Sequence, residues 1–545
     1  MRLRTKPWLL LCDVGPLPGQ IRVSKPDVVG NAVPNVVPSE FPTPAEAFSG
    51  SAFPDTRPKD DTPHLSYLRH LQCKQPQATP LERFGAGYQD YLQAPLRPLT
   101  IDLESITYEV FEKDPIKYDW YEKAIARALH DWVEQAKPPS NPEGRVVIAV
   151  VGAGRGPLVT RALRACEGVG VEIDMWALEK NPNAFVLLQR HNEQLWNKRV
   201  NLVHSDMRTW RGPVRHASHP IPPQDRDGPI ENMRSAVSYT GDVEVDRDYL
   251  LATATAVPTH YRVDILVSEL LGSFADNELS PECLDGVQHL LNPTHGISIP
   301  SSYTAHVTPI AAPKLHADIS AQLSSNIAAS ETPFVVMLHA IDYLSTTVPL
   351  EDIESPASPT SPGATTQSRR ASGSTLSPQP LVQTAWGFCH PNVHLPHPAT
   401  TSNSHNCRKC TLHFPVREKS VCHGLAGYFE TVLYGKFELS TNPVTMDEKS
   451  AGMISWFPIY FPLKVSNDES TQYLSHSNFV TLQAPLYVPA GGELVVSMWR
   501  RTDDRKVWYE WMVDAYARDG GKKATRKFRV GGSELHSSIK DACFM

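Results

Sequence analysis

Nowhere does the chain carry the ~18 consecutive apolar residues of a membrane-spanning helix, so no such span is expected. Its start, Met1-Arg2-Leu3-Arg4, is basic, but the apolar run from Trp8 to Cys12 stops at Asp13. That run is short of the ~7 residues of a signal-peptide core. Patterned cysteine is missing too: the nine are scattered and odd in number, which argues against a disulfide framework and for a reduced compartment. There is no basic excess. With 52 Lys and Arg against 59 Asp and Glu, the net charge of −7 speaks against nucleic acid and for a basic partner. Proline, at 48 residues, is what the chain has in surplus. A hydrophobic content of 41% with 20% charged residues suits a globular protein, and 545 residues call for two or three domains.

Residues 16–62 are rich in Pro, Ser and Asp and show no lasting period, which predicts an extended or disordered connector behind one short strand, Pro7–Val14. Leu65, Leu68 and Leu71 predict a helix over His64–Cys73, and a second helix is expected over Tyr118–Gln135. From Arg145 the pattern becomes α/β: strands at Val146–Val151, Val171–Leu178, Val200–Ser205 and Val263–Ser268, with helices at Leu158–Cys166 and Pro182–Trp196. Strands apolar on both faces and alternating with helices imply a buried parallel sheet. A polar insertion separates Trp210 from Tyr261. After Ile297 short strands recur at Thr411–Val416, Leu425–Tyr434, Met453–Pro462, Leu494–Arg500 and Val507–Ala515, the signature of an all-β sandwich or barrel. Within it, 20 of the 24 residues 355–378 are Ser, Thr, Pro, Gly or Ala, which predicts a disordered loop.

Gly152-x-Gly154-x-Gly156, between a buried strand and a helix, is a nucleotide-type turn, although its third glycine comes one residue early for the dinucleotide pattern. Glu179, at the end of the next strand, suits both hydroxyls of a ribose. The plainer alternative is a tight turn and a surface Glu. Asp206 and Met207 end the following strand at the same sheet edge. Glu269 and Glu278 flank a glycine-containing loop leaving a strand tip; folded back, the loop aims two carboxylates at one cation, and a planar guanidinium suits such a pair. Two solvated loop acids are the alternative. Cys407-x-x-Cys410 has no second pair at ligand spacing, so no metal is expected, and Arg369-Arg370-Ala371-Ser372 is only a short kinase-site-like match.

Several ordered motifs together resemble the type II, symmetric-dimethylating protein arginine methyltransferases. They are Tyr108–Tyr118 (YEVFEKDPIKY), the Gly152 turn, Glu179–Asn183, Ser268–Glu282 (SELLGSFADNELSPE), Gly427–Tyr434, Ser455–Pro458 and Lys506–Trp511. The resemblance runs from about Leu65 to Trp511. It implies a Rossmann-like class I methyltransferase domain over residues 100–299, interrupted at about 211–260. It also implies a β-barrel substrate and dimerisation domain over 300–545, interrupted at about 350–380.

By the same resemblance the cofactor is S-adenosylmethionine. Gly152, Gly154 and Arg155 would line its methionine end, with Tyr108 and Lys117 as further contacts, Glu179 as ribose ligand and Asp206 with Met207 as adenine wall. Glu269 and Glu278 would clamp the substrate guanidinium. Phe111 would govern product specificity, and Trp456 and Phe457 would close over the arginine. Implied substrates are arginine–glycine-rich tails of histones and splicing proteins, and the implied location is cytoplasmic and nuclear. Family members carry a TIM-type barrel ahead of this region. Within residues 1–99, Lys6–Val14 and His64–Cys73 resemble its last strand and helix, as in a fragment or a short form. The propeller-type partner bound through that barrel is therefore not expected, a homo-oligomer remains open, and the alternative to an enzyme is a catalytically impaired scaffold.

Overall fold

The computed structural model describes residues 63–74, 79–215, 259–347, 379–395, 402–465, 485–518 and 526–545. The expected strand Pro7–Val14, the connector, most of the insertion at 211–260 and the loop at 355–378 lie outside the described residues. Residues 1–79 form one unit and 80–545 another. In the first, the helix expected at His64–Cys73 is observed as Pro63–Lys74; a single helix does not show a barrel remnant.

In the second unit a short helix at Pro80–Phe84 precedes α1 (Ser105–Glu112) and α2 (Pro115–Glu134). Pro115 at the first helical position and Asp114 as N-cap start α2 three residues before the expected Tyr118. There follow β1 (Val146–Val151), α3 (Pro157–Val169), β2 (Ile173–Glu179), α4 (Pro182–Gln194), β3 (Val200–His204), β4 (Ile265–Ser268), α5 (Ser280–Val287) and β5 (Ile297–Ile299). The strands pair in parallel in the order β3-β2-β1-β4-β5. Every residue of β1 is buried, because both faces are covered. Val146, Ile148 and Val150 pack with α2 and α3, whereas Val147, Ala149 and Val151 join the core shared with the all-β half. The strand order reverses between β1 and β4, and open α/β sheets bind ligands beyond the strand ends at such a point.

The all-β half comprises β6 (Ser302–Ala311), β7 (Gln383–Cys389), β8 (Arg408–Val416), β9 (Gly424–Tyr434), β10 (Ile459–Pro462), β11 (Gly492–Thr502) and β12 (Lys506–Arg518), with shorter strands besides. β6, β7, β9 and β10 belong to a seven-stranded antiparallel sheet; β8, β11 and β12 belong to a six-stranded one. Val307, Leu425 and Phe461 of the first meet Phe414, Val496 and Trp511 of the second in one core. The strand expected over Met453–Pro462 begins only at Ile459. Ahead of it, Trp456 adopts φ +63°, a left-handed conformation that no strand accommodates.

Candidate active site

β1 ends in the turn Gly152–Gly156. Gly152 has φ +71° and Gly154 φ +56°; a Cβ on the first would lie 2.8 Å from Leu270 Cδ2 and on the second 3.0 Å from the Tyr108 ring. Both positions need glycine for conformation and for space. The turn is locked to β2 by Glu179, whose Oε2 accepts from Gly154 N and Oε1 from Asn181 N, each at 2.7 Å. Burial raises the Glu179 carboxyl above the usual range, and these backbone bonds offset that only in part. Each oxygen retains acceptor capacity, and Glu179 lines the adjoining cavity. The Tyr108 hydroxyl accepts from Asn181 Nδ2 at 3.3 Å, and burial, with the Glu179 charge, pushes its phenol up to about 12. Beyond β3, Asp206 is committed to its neighbour. Its carboxylate caps Arg208 N and takes the Arg208 guanidinium at 2.7–3.2 Å; burial raises it, but those bonds prevail and leave it lowered. Arg155 reaches α1 instead, 3.1 Å from Ser105 O, 3.3 Å from Glu109 and 3.2 Å from Glu112.

The loop after β4 does fold back. Gly272 and Ala275 exchange backbone hydrogen bonds at 2.9–3.0 Å, and Asn277 Oδ1 accepts from Phe274 N at 2.7 Å. What pins the loop comes from the all-β half. Asp276 accepts from Trp386 Nε1 at 2.9 Å, from Tyr509 at 2.8 Å and from Arg500 Nε at 2.6 Å, while Arg500 holds Glu282 through two bonds at 2.8 and 2.9 Å. Arg500 is fully buried, and its charge keeps Glu282 low against the upward pull of burial. Glu269 and Glu278 are thereby brought close enough to repel. Glu278 keeps part of its surface open to the cavity but lies deep in its floor, so burial first, and the Glu269 charge second, push its carboxyl well above the usual range.

Lys117, in the first turn of α2, has 1% of its side chain exposed. Its Nζ donates to Glu269 Oε2 at 3.1 Å and lies 5.3, 4.8 and 4.7 Å from the ring centres of Phe111, Tyr118 and Trp456. Burial alone would lower the ammonium; the Glu269 carboxylate outweighs it and holds it up at about 12. Trp456 is fixed by its Nε1 donating to Leu271 O at 2.8 Å and by an edge-to-face contact with Phe429. Phe457 stands further out, beside Phe84 and Tyr88.

All thirteen residues singled out from the sequence line one cavity of about 700 Å³. Two others that position it were not among them. Asp114 accepts from Ile116 N and Lys117 N through Oδ1 at 2.8 and 2.9 Å, and from Ile454 N and Ser455 N through Oδ2 at 2.9 and 2.6 Å. One carboxylate thus ties the root of Lys117 to the loop bearing Trp456. The Asp-Pro pair announces a helix cap, but nothing local announces the second pair of bonds. Arg500 reads as an ordinary strand residue.

The family model described as PRMT5 arginine-N-methyltransferase matches residues 79–299, and that of the PRMT5 oligomerisation domain matches 302–476 and 465–545. Among curated relatives, protein arginine N-methyltransferase skb1 of Schizosaccharomyces pombe is 38% identical over 480 residues, covering 88% of this chain and 59% of that protein. Protein arginine N-methyltransferase 5 of Xenopus laevis is 35% identical, covering 84% and 54%, and that of Oryza sativa subsp. indica 36%, covering 83% and 52%. The chain spans about half the length of the curated relatives it matches. With family models accounting for nearly the whole of residues 79–545, the chain belongs to the PRMT5 family of protein arginine N-methyltransferases.

Proposed function

We propose that the chain transfers methyl groups from S-adenosylmethionine to guanidinium nitrogens of protein arginines, forming monomethylarginine and symmetric dimethylarginine. One observation carries the reading: the cavity already holds a cation, Lys117, on Glu269 between three aromatic rings. Its other end is a glycine turn beside the strand-end carboxylate of Glu179. The glycine cradle, too tight for any side chain, and the acceptor capacity left on Glu179 fit a nucleoside-type cofactor. Gly152, Gly154 and Arg155 would hold its amino-acid end with Tyr108 and Lys117, Glu179 its ribose, and Asp206 and Met207 its base. When bound it supplies a methyl group on a sulfonium.

The rest is done by the chain's own side chains. Glu269 and Glu278 clamp the guanidinium and orient one nitrogen, since transfer in line depends on alignment and electrostatics. Phe111 and Trp456 wall a delocalised cation that loses its hydration on entry. Arrival of that cation replaces the repulsion at Glu278 with attraction, and a carboxyl lying beside the guanidinium is placed to take the proton released in transfer. Arginine–glycine-rich protein tails are the proposed substrates. Homo-oligomer assembly through residues 302–545 belongs to the same reading, supported by the oligomerisation-domain match. The test is methyl transfer to an arginine–glycine peptide by the full chain. Glu269→Gln should lower it by roughly 30- to 1000-fold, the effect of losing a charge-assisted pair in a dry site, while calorimetry shows S-adenosylhomocysteine still bound. Transfer near the wild-type rate in that variant refutes the clamp.

A further inference from the structure

Lys117 sits where the proposed function places the substrate. Its ammonium has the surroundings a guanidinium would meet: the Glu269 carboxylate at 3.1 Å and the faces of Phe111 and Trp456. Two cations cannot share that position, because their repulsion in a low-dielectric cavity far exceeds its value in water. The lysine is held there by one carboxylate bond and by aromatic faces, while its backbone is fixed separately: Lys117 N donates to Asp114 Oδ1 at 2.9 Å. The flexible four-carbon stem can therefore swing without disturbing α2. The same cavity runs on to Gly152 and Glu179, so an anion arriving there shares the cavity that Lys117 lines. S-adenosylmethionine carries such an anion, its α-carboxylate.

We infer that Lys117 is a built-in occupant of the guanidinium position, and that a cofactor carboxylate draws it off Glu269 so that cofactor and substrate arginine bind cooperatively. The inference rests on the proposed function. One ammonium has two alternative anionic partners, Glu269 and the cofactor carboxylate. When it turns to the second, Glu269 regains a full charge for the incoming arginine. Linkage makes the effect reciprocal: whatever factor the cofactor lends to arginine binding, arginine lends to the cofactor.

The test uses the full chain, a fluorescent arginine–glycine repeat peptide and S-adenosylhomocysteine, which keeps the carboxylate and cannot react. In the wild type, S-adenosylhomocysteine should tighten peptide binding by about tenfold or more, within the ~5- to 150-fold span of such couplings, and peptide should tighten S-adenosylhomocysteine equally. Lys117→Met should bind peptide without S-adenosylhomocysteine about tenfold more tightly than the wild type does, and added S-adenosylhomocysteine should change that little. A residue needed only for structure would weaken peptide binding instead. If wild-type peptide affinity ignores S-adenosylhomocysteine, the inference is overturned with no variant required. It is overturned as well if Lys117→Met binds no more tightly. Glu278→Gln separates the two levels: a peptide whose binding does not depend on Glu278 overturns the proposed function itself, whereas a Glu278-dependent peptide without coupling overturns only the role of Lys117.

Discussion

Replacing Asp114 by Asn should leave α2 capped and release the loop that carries Trp456. The carboxylate serves four backbone N–H groups, two on each oxygen, and is 3% exposed. An asparagine has one acceptor oxygen, and its NH₂ meets an N–H as donor against donor. The local cap pair, two and three residues away, keeps the oxygen because its geometry is set by the helix start. Ile454 N and Ser455 N then lose their acceptor, at about 1–3 kcal/mol for each buried donor left unpaired. Trp456, at φ +63°, is already strained by ~1–3 kcal/mol, so the loop has a reason to move once released. Hydrogen exchange read by mass spectrometry should show protection over 453–457 falling by about 30-fold or more, since two donors together lose at least ~2 kcal/mol and 1.4 kcal/mol is tenfold, with 115–118 little changed. Asp114→Ala should deprotect both. Faster exchange at 115–118 with 453–457 unaffected in Asp114→Asn would refute the division of labour between the two oxygens.

Other consequences follow from the same geometry. The folded state raises the Glu278 carboxyl, so it binds this proton more tightly than the unfolded chain does; that contribution is intact below pH 4.5 and is lost as pH rises toward the raised value. Glu278→Gln should therefore melt higher than the wild type at neutral pH and show a flatter melting-temperature profile above pH 4.5, while transfer disappears; a lower melting temperature would contradict the assigned direction. Arg500→Met strands Asp276 and Glu282 without their cation and should cost about 3–5 kcal/mol by denaturant titration; a loss below 1 kcal/mol would show that the loop is pinned by other contacts. Phe111→Met exchanges a rigid ring for a flexible chain beside the arginine position. Mass spectrometry should then detect asymmetric dimethylarginine, and an unchanged product pattern removes Phe111 from that role.

The parallel sheet, the glycine turn and the strand-end acids were readable from the chain alone because they are local. A buried strand is a continuous apolar run, a turn at positive φ demands glycine, and acids at the carboxyl ends of Ile173–Glu179, Val200–His204 and Ile265–Ser268 necessarily share one edge. The bounds of the helix over Pro115–Glu134 shifted by a few residues because capping at Asp114-Pro115 decides its start. What pairs with what was not readable. Lys117 meets Glu269 across 152 positions, Asp114 holds Ser455 across 341, and Arg500 reaches Asp276 across 224 from the opposite half. Asp206 and Arg155, expected to face a cofactor, are engaged by Arg208 and by Glu109 and Glu112. A charge in a sequence specifies only that it needs a partner when buried. Which partner it finds is settled by the packing of distant elements, because electrostatic pairing depends on separation in space and carries no period along the chain.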